Sequence, residues 1–265
     1  MPRAHRHVLP GRTYHVTHRC HDRAFLLKFG RDRQAYRDWI RDGLDCREVV
    51  VLNYCITSNH VHLLLRAAVP EELGRFMQYV AGGSAQAYNL RKKRSGAFWS
   101  DRYHATMIED GEHLWRCMRY IDLNMVRAGV VRHPREWNWT GWGELVGDRR
   151  RNRIVDIATV IEVTRAGDAE TFRTQYAETL ESALNQAALK RESCWTESVA
   201  VGSEPFIEVV ERELLSDYTR KRLERIPGSE GELVLREAST AYGAENDAKN
   251  RAIEPLRPVE TGLVS

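Results

Sequence analysis

The pair His60-Val61-His62 is the feature of this sequence best suited to chemistry. On a β-strand, residues i and i+2 project from the same face, so the two imidazoles would converge while Val61 points to the opposite face. Two convergent histidines just after a turn can hold a divalent cation and leave coordination positions open for a ligand. The alternative is a pair of surface histidines on a strand edge. No HxHxDH continuation follows, which argues against the common metallohydrolase arrangement.

Tyr120 is the second candidate, because polar residues surround it on one face of a predicted helix after Gly111. At about 100° per residue, four of them lie within roughly 40° of Tyr120. They are His113, Arg116, Asn124 and Arg127. Neighbouring cations stabilise a phenolate, so the sequence predicts a lowered pKa for Tyr120 and a role as nucleophile. The alternative is a half-buried tyrosine on an ordinary solvated helix face.

Alternating strands and helices must position these residues. The periodicity predicts strands at Thr13–Cys20, Val49–Ile56, His60–Arg66 and around Phe98–Ile108. It predicts helices over Asp32–Cys46, from Pro70 to Arg94, and from Gly111 to Gly129, with Gly129 as a stop. The turn residues Thr57-Ser58-Asn59 would join the second and third strands as a hairpin. This order predicts an α+β fold, an antiparallel sheet with flanking helices.

The chain changes character after about residue 140. Three tryptophans (Trp137, Trp139 and Trp142) are followed by charged helical stretches at about 152–190 and 205–225. Residues 1–140 hold 23 Lys/Arg and 14 Asp/Glu together with all ten histidines, whereas residues 141–265 hold 17 and 23. We therefore expect two regions, a basic one at 1–147 and a mainly helical, polar extension at 148–265 of unknown role. The basic region points to a polyanionic partner.

Composition excludes several classes of protein. With 42% hydrophobic residues and seven Trp, the chain is neither disordered nor collagen-like. It contains no run near the roughly 18 apolar residues that span a bilayer, so no membrane partner is expected. The basic start has no apolar segment behind it, which argues against a signal peptide. The five cysteines form no CxxC pair, which argues against disulfides and cysteine-rich zinc sites and indicates a cytoplasmic protein.

Several motifs, in order, resemble those of the REP-associated tyrosine transposases, relatives of the single-tyrosine HUH transposases of insertion sequences. The motifs are YHVTHRCHDR (Tyr14–Arg23), SNHVHLLLR (Ser58–Arg66), GAFWSDRYHATMIED (Gly96–Asp110), YIDLNMVRAGVV (Tyr120–Val131) and PREWNWTGW (Pro134–Trp142). The resemblance covers about residues 10–145. It implies the HUH fold, an antiparallel sheet of the ferredoxin or RRM type.

The resemblance also implies roles for four residues. His60 and His62 take the places of the metal-binding histidines, and the metal would be a divalent ion such as Mg²⁺ or Mn²⁺. Tyr120 takes the place of the catalytic tyrosine, which forms a 5′-phosphotyrosine link to DNA. Asn124 takes the place of a polar residue that completes the metal shell in relatives. Met125 stands where many relatives have proline, so we expect the helix to run on past Asn124 and to shift this third ligand.

Single-stranded DNA beside a hairpin is the substrate that the resemblance implies. Basic residues would contact its phosphates and aromatic residues would stack on its bases. The candidates are Arg19, Arg23, Arg91, Lys92, Lys93, Arg94, Trp99, Arg102, Tyr103, Arg116 and Arg127. Each has a structural alternative, as a solvated helix end or as a core aromatic. The protein would work in the cytoplasm in association with the nucleoid, as a monomer or a homodimer.

Three functions therefore compete. The first is a metal-dependent transposase that nicks and transfers single strands at REP-type hairpins. The second is a domesticated protein that binds hairpin DNA without cutting it, although a pure binder needs none of His60, His62 and Tyr120. The third is a metallohydrolase that uses water, which leaves Tyr120 without a role. The retention of all three residues favours the transposase.

Overall fold

The computed structural model of the protein describes residues 8–185, 190–217, 223–228 and 231–238. Its strands are β1 (Thr13–Arg19), β2 (Val49–Ile56), β3 (His60–Ala67), β4 (His104–Ile108), β5 (Ala200–Gly202), β6 (Leu223–Pro227) and β7 (Leu233–Glu237). Its α-helices are α1 (Gly30–Leu44), α2 (Pro70–Lys92), α3 (Glu112–Asp122), α4 (Asn124–Arg127), α5 (Trp142–Leu145), α6 (Ile157–Thr164), α7 (Ala169–Asn185), α8 (Cys194–Glu197) and α9 (Glu204–Asp217). None of these helices combines the length and apolar character needed to cross a membrane.

The strands form one seven-stranded sheet in the order β2-β3-β1-β4-β5-β7-β6. Every neighbouring pair is antiparallel except β4 and β5, which are parallel. In the β1–β3 register, Thr17 lies opposite His62 and Arg19 lies opposite His60. The predicted α+β fold, an antiparallel sheet with flanking helices, is confirmed.

The two faces of the sheet differ in chemistry because side chains alternate along each strand. Val61, Leu63 and Leu65 of β3 project to the face that packs on α1 and α2, and all three are fully buried. His60 and His62 project to the opposite face, which packs on α3. The hairpin thus supplies apolar side chains to the core and imidazoles to the other side.

Helix α2 closes the apolar face. Pro70 occupies its first turn, where the missing N–H costs no hydrogen bond and the fixed φ suits a helix. Lys93 ends the helix in the left-handed conformation, with φ at 49°. The buried side chains of Leu73, Phe76 and Val80 cover the sheet.

Three predicted elements outside the site differ from the structure. The strand expected from Phe98 begins only at His104, because the chain at 96–103 forms a loop with one isolated β-bridge, from Trp99 to Cys20. The helix expected over 152–190 is divided into α6 and α7. The helix expected over 205–225 ends at Asp217, and 223–227 is the edge strand β6, where Pro227 is tolerated.

The sheet crosses the boundary expected at residue 147. Strands β5, β7 and β6 all come from the extension, and β5 joins the first region by pairing Met107 with Ala200 and Ile108 with Val201. The described part of the extension contains helices α6 to α9, and it also widens the sheet. Its division from residues 1–147 as a unit with a separate role stays a prediction, and residues 239–265 lie outside the described part of the chain.

A buried carboxylate fixes the end of α3. Asp122 is 1% exposed and accepts hydrogen bonds from the Asn53 amide at 3.2 Å and from the hydroxyls of Thr140 and Tyr176. Burial raises the pKa of Asp122 to about 6, and the three hydrogen bonds oppose that rise. The cluster joins α3 to β2, to α7 and to the loop before α5, two residues beyond Tyr120.

We expect Asp122→Ala to destabilise the protein by roughly 3 kcal/mol, since each buried donor left unpaired costs about 1–3 kcal/mol. Urea unfolding measures the change. Asp38→Ala is the control, because Asp38 forms its hydrogen bonds at the surface of α1 and is worth less than about 1 kcal/mol. Equal unfolding midpoints for the two variants would show that the cluster does not hold α3.

Candidate active site

The turn between β2 and β3 sets the position of His60. The Thr57 hydroxyl donates to the His60 carbonyl oxygen at 2.8 Å and accepts from the backbone N–H of His60 at 3.1 Å. The His60 Nδ1 lies 2.7 Å from Asn59 Oδ1, an acceptor, so Nδ1 carries the proton. Because the proton is on Nδ1, the lone pair of His60 is on Nε2.

A chain of hydrogen bonds fixes the tautomer of His62. His15 Nδ1 lies 2.8 Å from the carbonyl oxygen of Trp195, which can only accept, so His15 Nδ1 is the protonated nitrogen. His15 Nε2 must then accept from His62 Nδ1, 2.9 Å away. The lone pair of His62 is therefore on Nε2, where the Asn124 amide nitrogen lies at 2.9 Å. His15 orients His62 as the outer partners of metal-bound histidines commonly do.

The imidazoles of this site are held uncharged by burial. Burial lowers the pKa of His15 and of His60 to about 3 and lowers that of His62 well below its ordinary value. The positive charges of Arg19 and Arg127 act in the same direction on His60. All three histidines are thus neutral at neutral pH, the form in which imidazole binds metals.

The helix that carries Tyr120 is interrupted before Asn124. Helix α3 ends at Asp122, Leu123 has ψ near 1°, and the short α4 starts at Asn124. The expectation of one continuous helix to Gly129 is wrong, although Met125 stands where proline would have enforced a break. The interruption leaves the Asn124 side chain directed at His62.

Tyr120 lies beside the histidines. The centroid of its ring is 6.1 Å from that of His62 and 6.1 Å from that of His15. The Arg127 guanidinium stacks on the ring at 3.9 Å and donates to the Tyr120 carbonyl oxygen at 2.8 Å. The indole of Trp195 lies 6.3 Å away on another side. Tyr120 is 5% exposed, and its hydroxyl has no hydrogen-bond partner among the described residues.

The predicted lowering of the Tyr120 pKa is wrong. Burial raises the pKa of Tyr120 above its ordinary value, and the positive charges of Arg127 and Arg191 offset that rise only in part. The phenol is therefore neutral at neutral pH. A nucleophilic Tyr120 must lose its proton during the reaction rather than before it.

The polar helix face expected around Tyr120 is mostly paired within the protein. His113 lies 3.2 Å from Glu109, and the Arg116 guanidinium donates to Glu232 at 3.1 Å. Of the cations predicted on this face, Arg127 is the one in contact with the Tyr120 ring. Burial therefore outweighs the positive charge of Arg127, and the Tyr120 pKa is raised.

The basic residues at the end of α2 are partly engaged elsewhere. Arg91 forms an ion pair with the buried Asp32. Lys92 lies over an aromatic ring, and Arg94 donates to carbonyl oxygens of the following loop. Lys93 is exposed. DNA contacts by these four residues stay predictions.

The two aromatic candidates are packed against the protein. Trp99 stacks on His18 with ring centroids 4.1 Å apart, and its Nε1 donates to the Ala81 carbonyl oxygen at 2.9 Å. Tyr103 is 7% exposed. Stacking on DNA bases by either residue stays a prediction that requires them to leave these contacts.

The remaining arginine candidates are Arg19, Arg23 and Arg102. Arg19 is exposed at the end of β1 opposite His60, and its charge lowers the pKa of His60. Arg23 is half-buried, and its carbonyl oxygen accepts from the Asn59 amide at 3.1 Å. Arg102 is exposed in the loop before β4. These positions leave Arg19 the best placed of the three to meet a phosphate at the histidines.

Sequence reasoning missed His15, Trp195 and Arg191. His15 follows Tyr14 in the first strand, and its pairing with Leu64 could have indicated that it shares a face with His62. Trp195 and Arg191 lie far along the chain in the extension, and no local pattern links them to the histidines.

The side chains present fit a divalent cation. Among the described residues, no group of three or more His, Cys, Asp or Glu is arranged to hold a metal ion. His60 and His62 would contribute two neutral imidazoles. Rotation of the Asn124 amide group by about 180° would direct its oxygen, in place of its N–H group, toward a metal at His62 Nε2. Further ligands would have to be water or phosphate oxygens, a mixed set that suits Mn²⁺ or Mg²⁺.

Residues 10–124 match the family model of the IS200-like transposases. This segment is an IS200-like transposase domain. It includes β1 with His15, the β2–β3 hairpin with both motif histidines, and α3 with Tyr120, and the match ends at Asn124. Trp195, which orients His15 of the transposase domain, lies outside the matched segment.

Two solved structures are similar to the chain. A REP-associated tyrosine transposase bound to a REP hairpin aligns with a TM-score of 0.47 and 17% identity, over 59% of this chain and 93% of that one. A candidate transposase from Deinococcus radiodurans R1 aligns with a TM-score of 0.31 and 18% identity, over 39% of this chain and 83% of that one. No curated protein matches the chain with significant similarity. The family match over residues 10–124 supports an enzyme that binds and moves DNA.

Proposed function

We propose that this transposase nicks single-stranded DNA beside REP-type hairpins and transfers the cut strand through a covalent link to Tyr120. His60, His62 and Asn124 would hold a divalent cation. The observation that carries the proposal is the convergence of these groups in one chain, with the Asn124 amide 2.9 Å from His62 Nε2 and the Tyr120 ring 6.1 Å from the His62 ring.

In the proposed reaction, the Tyr120 hydroxyl oxygen attacks the scissile phosphorus. A bond forms between Oη and phosphorus, and the bond from phosphorus to the 3′ oxygen of the preceding nucleotide breaks. The phenol proton leaves and the 3′ oxygen takes up a proton, so the products are a 5′-phosphotyrosine and a free 3′-hydroxyl. Because the link retains the phosphoester bond, attack by another 3′-hydroxyl rejoins the strand without a nucleotide cofactor.

The side chains around Tyr120 supply orientation and charge. Arg127 fixes the tyrosine ring by stacking and places a positive charge over the ring that carries the attacking oxygen. Exposed Arg19 lies where it can contact a phosphate near His60. A bound divalent cation would polarise the scissile phosphate. Since Tyr120 is 5% exposed, neighbouring side chains must move when DNA binds.

Covalent capture tests the proposal. The protein is mixed with labelled single-stranded hairpin DNA from the flanks of its own gene, with Mn²⁺ or with a chelator, and run on a denaturing gel. We expect a protease-sensitive shifted band that requires the metal. Binding in a native gel without any adduct, across several hairpins, would instead support the hairpin-binding protein without cleavage activity.

His15 provides a separate test of the metal site. We expect His15→Phe to weaken Mn²⁺ binding about 10- to 100-fold, because His62 loses the acceptor that holds its tautomer. Isothermal titration calorimetry on the DNA-free protein measures the affinity. His15→Gln should retain more of it, since the glutamine oxygen can still accept from His62 Nδ1.

His104→Phe is the matched control for His15→Phe. His104 lies on the same face of the sheet, and its Nε2 is 2.9 Å from the Ser198 carbonyl oxygen. Like His15, which is bound to the Trp195 carbonyl oxygen, it is therefore held by a backbone carbonyl group of the extension. Its substitution should leave Mn²⁺ affinity unchanged. Equal losses in both variants would mean that His15 acts only through general packing.

A further inference from the structure

A pocket lined mainly by arginines lies apart from the transposase site. It has a volume of about 350 Å³ and is formed by the loop after α5 together with α7. Its lining residues are Glu144, Gly147, Arg149, Arg150, Arg153 and Arg173. Four of the six carry a positive charge, and none of the six belongs to the site around Tyr120. A concave surface with this lining favours an anionic ligand.

The acidic residue in the pocket pairs with one of these arginines, Arg149, at 3.6 Å and leaves the other three without a carboxylate partner from Glu144. Both oxygens of the Glu144 carboxylate are buried and engaged, Oε1 by Arg37 at 2.9 Å and by the Tyr54 hydroxyl at 2.7 Å. Oε2 accepts from the backbone N–H groups of Ile154 at 2.6 Å and Val155 at 2.8 Å. Glu144 therefore anchors the loop and has its charge already balanced.

Three of the four arginine side chains have no partner within the described part of the chain. The side chains of Arg150, Arg153 and Arg173 make no hydrogen bond or ion pair among the described residues. The Nε of Arg173 is inaccessible to solvent and unpaired. Arg149 differs, because it forms the ion pair with Glu144 and donates to the Tyr54 hydroxyl at 2.9 Å and to the Asn138 carbonyl oxygen at 2.6 Å.

A glycine allows the loop to lie against Arg173. Gly147 has φ at +89°, which other residues rarely adopt, and a Cβ there would come within 3.2 Å of Arg173 Nε. The close approach places the Arg173 guanidinium beside Arg150 and Arg153 at the pocket instead of in open solvent. Asp148, which is exposed, is the acidic residue nearest to this loop glycine in sequence. Its single negative charge does not balance the positive charges of Arg150, Arg153 and Arg173.

We propose that this pocket binds the phosphate backbone of the DNA substrate, at a point separate from the scissile phosphate. The planar guanidinium groups suit the paired oxygens of a phosphodiester. Exposed Arg151 continues the basic surface beyond the pocket, which suits an extended polyanion better than a single small anion. The choice of DNA as the ligand rests on the proposed function.

Replacement of Arg150, Arg153 and Arg173 together by glutamine tests the pocket. Fluorescence anisotropy with labelled hairpin DNA gives the affinity at several salt concentrations. We expect about tenfold weaker binding or more, and a slope of log affinity against log salt that falls by about 2–3, one for each lost phosphate contact. Arg31, Arg41 and Arg135, replaced together by glutamine, are the control with equal charge loss and should change the slope far less.

The outcomes separate this proposal from the proposed function. Equal losses in the two triple variants would overturn the pocket and leave a general charge effect. A second outcome would also overturn it in favour of a small-anion site. In that outcome, inorganic phosphate stabilises the wild type against unfolding but does not stabilise the pocket variant, and the pocket variant keeps its DNA affinity. If the wild type forms no covalent adduct, the proposed function fails, yet a selective loss of salt-dependent binding still supports the pocket.

Discussion

Tyr120→Phe will abolish the covalent protein–DNA adduct and leave hairpin binding nearly unchanged. The variant removes the one oxygen that can bond to phosphorus, so we expect strand cleavage to fall by about 10⁴-fold or more. The fold should persist, because the Tyr120 hydroxyl has no hydrogen-bond partner among the described residues and the ring contacts with Arg127 and His62 remain. Denaturing gels measure the adduct, and anisotropy measures the binding.

Tyr79→Phe is the matched control for this result. Tyr79 lies on α2, where it packs on Trp39 with ring centroids 5.4 Å apart, on the opposite side of the sheet from the histidines. It should form the adduct at the wild-type rate. An adduct that persisted in Tyr120→Phe would assign the covalent link to another residue and overturn the proposed mechanism.

His62→Ala will remove Mn²⁺ binding and, with it, cleavage. Of the two motif histidines, His62 has the more constrained position, since both ring nitrogens are engaged, by His15 and by Asn124. Its loss leaves one imidazole and one amide, too few protein ligands for a stable cation site. We expect at least a 100-fold loss of metal affinity by calorimetry and about 10³-fold slower adduct formation.

Two further measurements make the His62 result specific. His104→Ala removes a histidine from the same face of the sheet and should keep both metal affinity and cleavage. A mixture of His62→Ala and Tyr120→Phe should stay inactive, because the two residues meet within one chain. Restored cleavage in the mixture would show instead that two subunits share an active site.

The sequence predicted the parts of the fold that depend on neighbours along the chain. The β2–β3 hairpin follows from the β-branched run, the turn residues 57–59 and the alternation through His62. The position of α2 follows from Pro70. The histidine pair and Tyr120 were selected by residue type and spacing, and residues 10–124 match the family model of the IS200-like transposases.

The parts that could not be predicted depend on distant segments. The three residues of β5 carry too little pattern to indicate a strand, and only their parallel pairing with β4 defines them. The raised pKa of Tyr120 comes from burial, partly by Trp195, which spacing on a helix does not report. The interruption at Leu123 follows from the anchoring of Asp122 by groups on β2, α7 and the loop before α5.

The hydrogen bond from His15 to the carbonyl oxygen of Trp195 limits which regions of this protein can be exchanged with those of a relative. The acceptor is a main-chain atom, so its chemistry survives any substitution at position 195, but its location depends on the path of the whole extension. A chimera that joins residues 1–147 to the extension of another family member would keep every catalytic side chain. It would still lose the orientation of His62 unless the new extension delivered a carbonyl group to the same place.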